Sequence, residues 1–408
     1  MKMERADERF LRYIAIDTAS DEMSGVTCPS TESQWKLARL LAQELRDMGL
    51  TDARVDEHCY VYASLPATAG CENEKVLGLI SHMDTVNSVP SAPIHPRRVV
   101  YEGGDLVLNE KLGIVMQARD FPALKKVVGD ELIVTDGTTL LGADDKAGVS
   151  EIMAAVEHLA RHPEIPRGKI AVAFTPDEEI GAGADAFDLA AFGADYAYTV
   201  DGYEIDEVEY ECFNAASATV EVRGFNIHTG SAKNKMRNAI RIAIEFNGML
   251  PPLEIPENTE GYEGFAHLGG IKGDESRCVM RYIIRDHDME KFNARKARFE
   301  KIAAYLNEKW GEGTVTVSLR DTYYNMRPKI EEAPFVLERA FAALRANGVT
   351  PCTVPIRGGT DGARLSYMGL PCPNLGMGGN NCHGVMEYVS VCQMRKMTDV
   401  LVTLATAK

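Results

Sequence analysis

Long apolar runs are missing from this 408-residue chain. With them goes any expectation of a membrane-spanning helix, which needs about 20 consecutive apolar residues. A basic excess is missing as well: 44 Lys and Arg face 60 Asp and Glu, a formal net charge of −16. That balance argues against nucleic acid or an anionic membrane as partner. Cysteines number nine, an odd count with no CxxC pair, so neither a disulfide framework nor a zinc ribbon is indicated. A reducing cytoplasm fits best. The start, Met1 to Glu8, is charged and no apolar segment follows it, so no signal peptide is expected. Internal repeats and low-complexity segments are absent from the sequence. Gly358, Gly359 and Gly362 lack the Gly-Lys-Ser/Thr ending of a phosphate loop, which makes an NTPase reading poor.

What is present is enough chain for two domains. The central feature is Leu140 to Gly148, Leu-Leu-Gly-Ala-Asp-Asp-Lys-Ala-Gly, where two adjacent acids stand between small residues. Helical spacing follows, with Val149, Ile152, Met153, Val156 and Leu159 on one face of a helix predicted from Lys146 to Ala160. Taken alone, the acids read equally well as an Asx turn capping that helix or as a cation site. Further short apolar runs read as buried strands: Val76–Ser81 ending at His82-Met-Asp84, Lys169–Phe174 ending at Thr175-Pro-Asp-Glu-Glu179, and Ala194–Val200 ending at Asp201. In open α/β sheets, sites are built beyond such C-terminal strand ends.

Helices are also expected over Arg5–Thr18 and Trp35–Met48, the latter opened by a capping box at Thr31–Gln34. After about Phe213 the pattern changes. Strands at Ser217–Arg223, Val279–Arg285 and Gly313–Leu319 alternate with helices at Lys233–Leu250 and Met289–Trp310. Two strand–helix units of this kind make a small α/β sandwich inserted into a larger domain. The predicted division is 1–212 with 323–408 for the larger domain and 213–322 for the insert. Helices at Ala333–Ala346 and Cys392–Ala405 return to the larger one.

The candidate ligands are His82, Asp84, Asp144, Asp145, Glu178, Glu179, Asp201 and His383, the last in Gly378-Gly-Asn-Asn-Cys-His-Gly384. Imidazoles mixed with carboxylates suit Zn²⁺, Mn²⁺ or Co²⁺ rather than Ca²⁺. The inventory suffices for two ions sharing a bridging carboxylate, with one acid left over as a base.

These motifs resemble the two-zinc metallopeptidase superfamily that includes carboxypeptidase G, aminoacylase and the succinyl-diaminopimelate desuccinylases, and within it the tripeptide aminopeptidases. The likeness runs through Pro29–Leu37, His82-x-Asp84-Thr85, Leu140–Gly148 and Phe174–Glu179. It continues in Thr199–Gly202, Phe213–Ser217, Thr259–Phe265, Tyr282–Asp286, Tyr323–Arg327, Ile356–Gly362 and Gly369–Leu375. The resemblance implies an α/β fold: a catalytic domain with a mixed central sheet flanked by helices, plus the smaller inserted α/β sandwich as a lid or dimerisation domain. It implies two Zn²⁺ per subunit, with Co²⁺ or Mn²⁺ as substitutes. Asp144 would bridge, His82 and Asp201 would complete one site, and Glu179 and His383 the other. Asp84 would orient His82. Glu178 would act as general base and acid, taking a proton from the attacking water and passing it to the leaving amine. The Asp144–Asp145 peptide bond is expected to be cis.

From the insert, the resemblance implies that His228 polarises the scissile carbonyl, although a lone loop histidine is more often simply solvated. Arg285 and Arg357 would grip the substrate carboxylate, and Asn238 would contact substrate. Without the family, Arg285 reads as a strand-end surface charge. The expected activity is removal of the N-terminal residue from tripeptides by a monomer or homodimer. The alternatives are a dipeptidase or N-acyl-amino-acid hydrolase of the same superfamily, and a catalytically inactive relative binding peptide or metal. Retention of Glu178 together with every ligand disfavours the inactive relative.

Overall fold

The computed structural model describes residues 3–24 and 27–406. Met1 and Lys2 of the charged start, and Gly25 and Val26 of the loop running to Pro29, lie outside the described residues. The chain divides into two compact units. One comprises the chain up to Tyr210, Pro328–Val354 and the chain from Thr360 on; the other comprises Glu211–Arg327 and Pro355–Gly359.

In the first unit, continuous apolar runs become strands buried on both faces. Leu77–His82 and Ile170–Thr175 are buried at every residue, as a parallel sheet centre requires. They pair with each other in parallel, and Leu77–His82 also pairs in parallel with Tyr196–Gly202. Asn374–Gly376 extends the parallel set, while Val61–Leu65 and Val208–Glu209 join antiparallel on either side. The result is a seven-stranded mixed sheet completed by Arg54–Val55. The two-residue period of a strand sorts side chains between the faces. Ile170, Val172 and Phe174 meet Leu41, Ile152, Val156 and Leu401 on one face. Ala171 and Ala173 meet Tyr60, Tyr62, Phe187 and Leu365 on the other. The fold is thus mixed α/β with helices flanking a central mixed sheet.

The helix Ala143–Arg161 crosses this sheet. Gly148 is what lets it approach: a Cβ there would overlap the Val200 carbonyl oxygen and crowd Asp145 Oδ1 and Ser81 Oγ, each at 2.5 Å. The Asp144–Asp145 peptide is cis, as expected.

Several predicted elements end differently. The first helix spans Ala6–Tyr13, not Arg5–Thr18. The carbonyls beyond it are used elsewhere: Ile16 accepts from Lys146 Nζ at 2.8 Å, and Thr18 accepts from the N–H of Thr85 at 3.3 Å. The capping box at Thr31–Gln34 does not form. The helix begins at Gln34 after Ser33, and Gln34 Nε2 donates to Asp177 Oδ1 at 2.7 Å instead of serving the helix end.

The second unit is a four-stranded antiparallel sheet in the order Phe265–Gly273, Arg277–Asp286, Asn214–Arg223, Val315–Tyr323. Ala218, Val220, Met280 and Ile284 pack on Ile242 and Phe246 of helix Ala239–Gly248 and on Phe299 and Leu306 of helix Met289–Trp310. The first of these helices starts at Ala239 rather than Lys233, because Asn238 caps it. The strand Phe265–Gly273 escapes sequence detection: Gly269 and Gly270 interrupt its alternation, and the register shifts there.

Candidate metal centre and active site

The three buried strands deliver their polar residues to one edge of the sheet, as their C-terminal placement predicts. His82, the last residue of its strand, is 3% exposed. Its Nδ1–H donates to the Asp84 carbonyl at 3.1 Å and lies 3.4 Å from Asp84 Oδ1. Two acceptors on that side assign the proton to Nδ1, so Nε2 turns to the acids. It lies 2.9 Å from Asp144 Oδ1 and 3.3 Å from Asp201 Oδ1.

The other oxygen of Asp144 faces a second imidazole. Asp144 Oδ2 is 3.1 Å from His383 Nε2, which is itself 3.0 Å from Glu179 Oε2. One carboxylate therefore stands between two histidines, each with a further acid beside it. His383 holds a left-handed backbone, φ +65°, in the glycine-rich segment that brings it back to the sheet edge. Ligand atoms of His82, Asp144 and Glu179, and those of His82, Asp145 and Asp201, cluster closely enough to hold a metal ion.

Glu178 and Glu179 sit on a short turn after Asp177, whose φ is +57°. Their backbone N–H groups donate to the two oxygens of Asp84, at 2.9 Å and 3.2 Å. Asp84, fully buried, thus holds both the His82 ring and the turn bearing the two glutamates. Asp177 is pinned in turn by Ser30 and Gln34. The side chains of the two glutamates part: Glu179 meets His383, while no described protein donor reaches the Glu178 carboxylate.

Burial sets the protonation of this edge. It pushes Glu178 well above the usual carboxyl range, Glu179 up to about 7 and Asp201 up to about 6. Asp145 is driven well up by burial and by Asp201. Asp144 is the exception, because burial is outweighed by hydrogen bonds from His383 and His82, which hold it low. The same contacts, from Asp144 and Glu179, raise His383 to about 10. Glu179 Oε1 and Asp145 Oδ1 are buried without a hydrogen-bond partner among the described residues. Crowded acids, two imidazoles and two orphaned carboxylate oxygens are a donor set that fits divalent cations.

Sequence reading missed two buried acids here. Glu387 accepts the backbone N–H groups of Leu141 at 2.9 Å, Gly142 at 2.7 Å and Asp144 at 3.0 Å, so it moulds the loop that carries Asp144. Asp361 accepts from Thr175 Oγ1 at 2.8 Å and is pushed up to about 7 by burial. A lone glutamate four residues after His383 was the available signal for the first.

The remaining sequence candidates lie in the second unit. His228 is an exposed turn residue; Gly230 N–H donates to its Nδ1 at 3.2 Å, leaving the proton on Nε2. Asn238 Oδ1 accepts from Arg241 N–H at 3.1 Å as a helix cap. Arg285 donates to the carbonyls of Ala216 and Ile284 and lies over the Tyr323 ring. Arg357 donates to the carbonyls of Gly261, Glu263 and Thr259 and stacks on Phe213.

The family match and the curated relatives make this a metal-dependent peptidase. The chain belongs to peptidase family M20/M25/M40, whose model matches residues 136–407. It is 51% identical over 398 residues to Peptidase T of Geobacillus kaustophilus (strain HTA426), covering 97% of this chain and 96% of that protein. It is likewise 51% identical over 404 residues to Peptidase T of Clostridium novyi (strain NT), covering 98% of each. Among solved structures, aminopeptidase PepT from Bacillus cereus ATCC 10987 matches with a TM-score of 0.77 at 24% identity, over 100% of this chain and 98% of that one. A Bacillus subtilis dinuclear metal-binding peptidase matches with a TM-score of 0.64 at 12% identity, over 98% of both chains.

Proposed function

We propose that this protein is a zinc-dependent aminopeptidase that removes the N-terminal residue from tripeptides. The observation that carries the reading is the Asp144 carboxylate, whose two oxygens face His82 and His383 separately at 2.9 Å and 3.1 Å. A carboxylate so placed is suited to bridge two ions. His82 and Asp201 would complete one site, and Glu179 and His383 the other. The 51% identity to Peptidase T proteins over nearly the whole chain supports the substrate class.

Bound at this edge, two metal ions would supply Lewis acidity toward the scissile carbonyl and lower the pKa of a water. The chain's own part falls to Glu178. Its carboxyl, its pKa raised by burial and with no donor reaching it among the described residues, would accept the proton of the attacking water and return it to the departing amine. Asp84 would hold His82 in its ligating tautomer. From the second unit, the Nε2–H of His228 would be the donor to the developing oxyanion, since Nδ1 already accepts from Gly230. Arg285 and Arg357 would recognise the substrate carboxylate, with Asn238 contacting the peptide. A cytoplasmic setting accords with nine cysteines, none in a disulfide. Among the described residues no helix is long and apolar enough to cross a membrane. The working form would be a monomer or homodimer.

The test compares zinc-loaded protein on a free tripeptide, its N-acetylated form, the matching dipeptide and a tetrapeptide, with a chelator control. Cleavage of the free tripeptide alone, lost with chelator, is expected. Preference for the acylated peptide or the dipeptide would move the protein to a sister activity. Glu178→Gln should lower kcat by about 10²–10⁴-fold while metal content stays unchanged. Full activity in that variant would remove Glu178 from the reaction.

A further inference from the structure

The opposite edge of the central sheet, where the parallel strands begin, carries a second polar feature. Leu77 and Ile170 are cross-strand partners there, and Leu77 is also paired with Tyr196. These three residues floor a pocket of about 80 Å³, room for several waters at roughly 10–15 Å³ each. Leu77 and His82 are the two ends of one six-residue strand. At about 3.3 Å per residue the pocket therefore lies roughly 17 Å from the metal centre.

Its walls are basic in a protein that is strongly acidic overall. Lys75, Arg167, Lys169 and Arg339 line it, against the single carboxylate of Glu74. Among the described residues, none of the four cations is in an ion pair. The contrast with Arg9 is instructive, because Arg9 and Arg167 are comparably buried, at 4% and 6% exposure. Arg9 meets Glu44 at 2.6 Å and Glu157 at 2.5 Å. Among the described residues the Arg167 guanidinium donates one bond, to the Ile165 carbonyl at 3.3 Å, and its Nε is buried without a partner. Arg339 Nε is likewise buried and unpartnered.

A guanidinium buried this far without a carboxylate is costly. Burial alone accordingly depresses the Arg167 pKa, with nothing opposing it. Stabilisation of a helix C-terminus accounts for Arg339, which donates to the Leu404 carbonyl at 3.1 Å. Lys75 Nζ lies over the Phe335 ring at 5.2 Å, but neither contact accounts for Arg167 or Lys169.

We propose that this pocket binds a small, multiply charged oxyanion, held by Arg167 and Arg339 and rimmed by Lys75 and Lys169. The guanidinium nitrogens offer the forked donors that phosphate and carboxylate groups accept, and the two lysines add charge at the exposed mouth. The site is separate from the peptidase centre and does not depend on the activity proposed for it.

Thermal melts and calorimetric titration of the zinc-loaded full-length protein test this, using inorganic phosphate, succinate, and chloride at matched ionic strength. Phosphate or succinate should raise Tm in a saturable way where chloride does not, and whichever is effective identifies the oxyanion. The double variant Lys75→Gln/Lys169→Gln alters only exposed side chains and should melt normally without ligand. It should bind the effective anion about tenfold or more weakly, with peptide turnover unchanged. Arg339→Gln should weaken binding further. An anion effect that chloride reproduces, or that persists at wild-type affinity in the double variant, overturns the proposal.

Discussion

Glu387 touches no candidate ligand side chain, yet it accepts three backbone N–H groups from the loop that aims Asp144. Glu387→Ala leaves those donors buried without an acceptor and frees the loop. Metal affinity should fall by about 10–100-fold, as for other residues that orient ligands at one remove. Competition with a chelator measures it, and wild-type affinity would show that the loop holds its shape unaided. Asn238 presents a different question. Its side chain already caps a helix, so Asn238→Ala should cost about 1 kcal/mol in denaturant unfolding. Asn238→Ser, which still caps, should restore that stability. If KM for a tripeptide stays high in the Ser variant, Asn238 has a substrate contact beyond its cap; if KM returns to normal, the cap is its whole role.

Among the elements, helix Ala143–Arg161 packs on both strand Leu77–His82 and strand Tyr196–Gly202, which brings Asp144 and Asp201 toward His82. Gly148 sits where that helix meets the Val200 carbonyl. Gly148→Ala should push helix and strand apart at an overpacking cost of about 1–3 kcal/mol. Metal binding should weaken in parallel, because the ligands come from both elements. A denaturant titration with and without zinc checks both effects; loss of stability with metal affinity intact would mean that the displacement is absorbed away from the ligands.

For the molecule as a whole, Asp7 ties distant segments of the chain. It is fully buried, and it accepts from Arg98 at 2.5 Å and from Arg395 Nε at 3.0 Å. Burial would raise its pKa, but the bonds from Arg395 and Arg98 outweigh it and hold the carboxyl below its ordinary value. A carboxyl with a lowered folded-state pKa stabilises the fold fully above its unfolded pKa, near 3.9. That contribution is lost as pH falls through the folded value. Because Arg395 and Arg98 are 43% and 28% exposed, Asp7→Asn should cost about 1.5–3 kcal/mol at neutral pH, as loss of a hydrogen bond to a charged group does, and the deficit should shrink below about pH 4. Equilibrium unfolding across pH measures it; a deficit independent of pH would assign the loss to packing. Metal removal acts on the same scale. If zinc binds only the folded state, chelation should lower Tm, by about 2.7 kcal/mol of stability for zinc at 100 times its Kd, and calorimetry with zinc restored reads the reversal.

Local pattern carried much of this. Short apolar runs closed by acids or histidine marked the strands and the edge to which they deliver, because strand period and strand-end chemistry are properties of a few adjacent residues. The candidate ligands His82, Glu179 and Asp201 are legible for that reason, whereas Asp144 and His383, which close no strand, are legible mainly through motif resemblance. What stayed hidden depends on partners far along the chain. Thr18 leaves helix to bond the segment at Met83, Gln34 abandons a helix cap for Asp177, and Glu387 reaches back to Leu141. Arg167 looks like any surface arginine until the fold buries it without a carboxylate. Sequence order settles which residue types are available and what each stretch prefers locally. Only the folded chain decides which buried polar group finds a partner, because that depends on desolvation and geometry between segments that the sequence keeps apart.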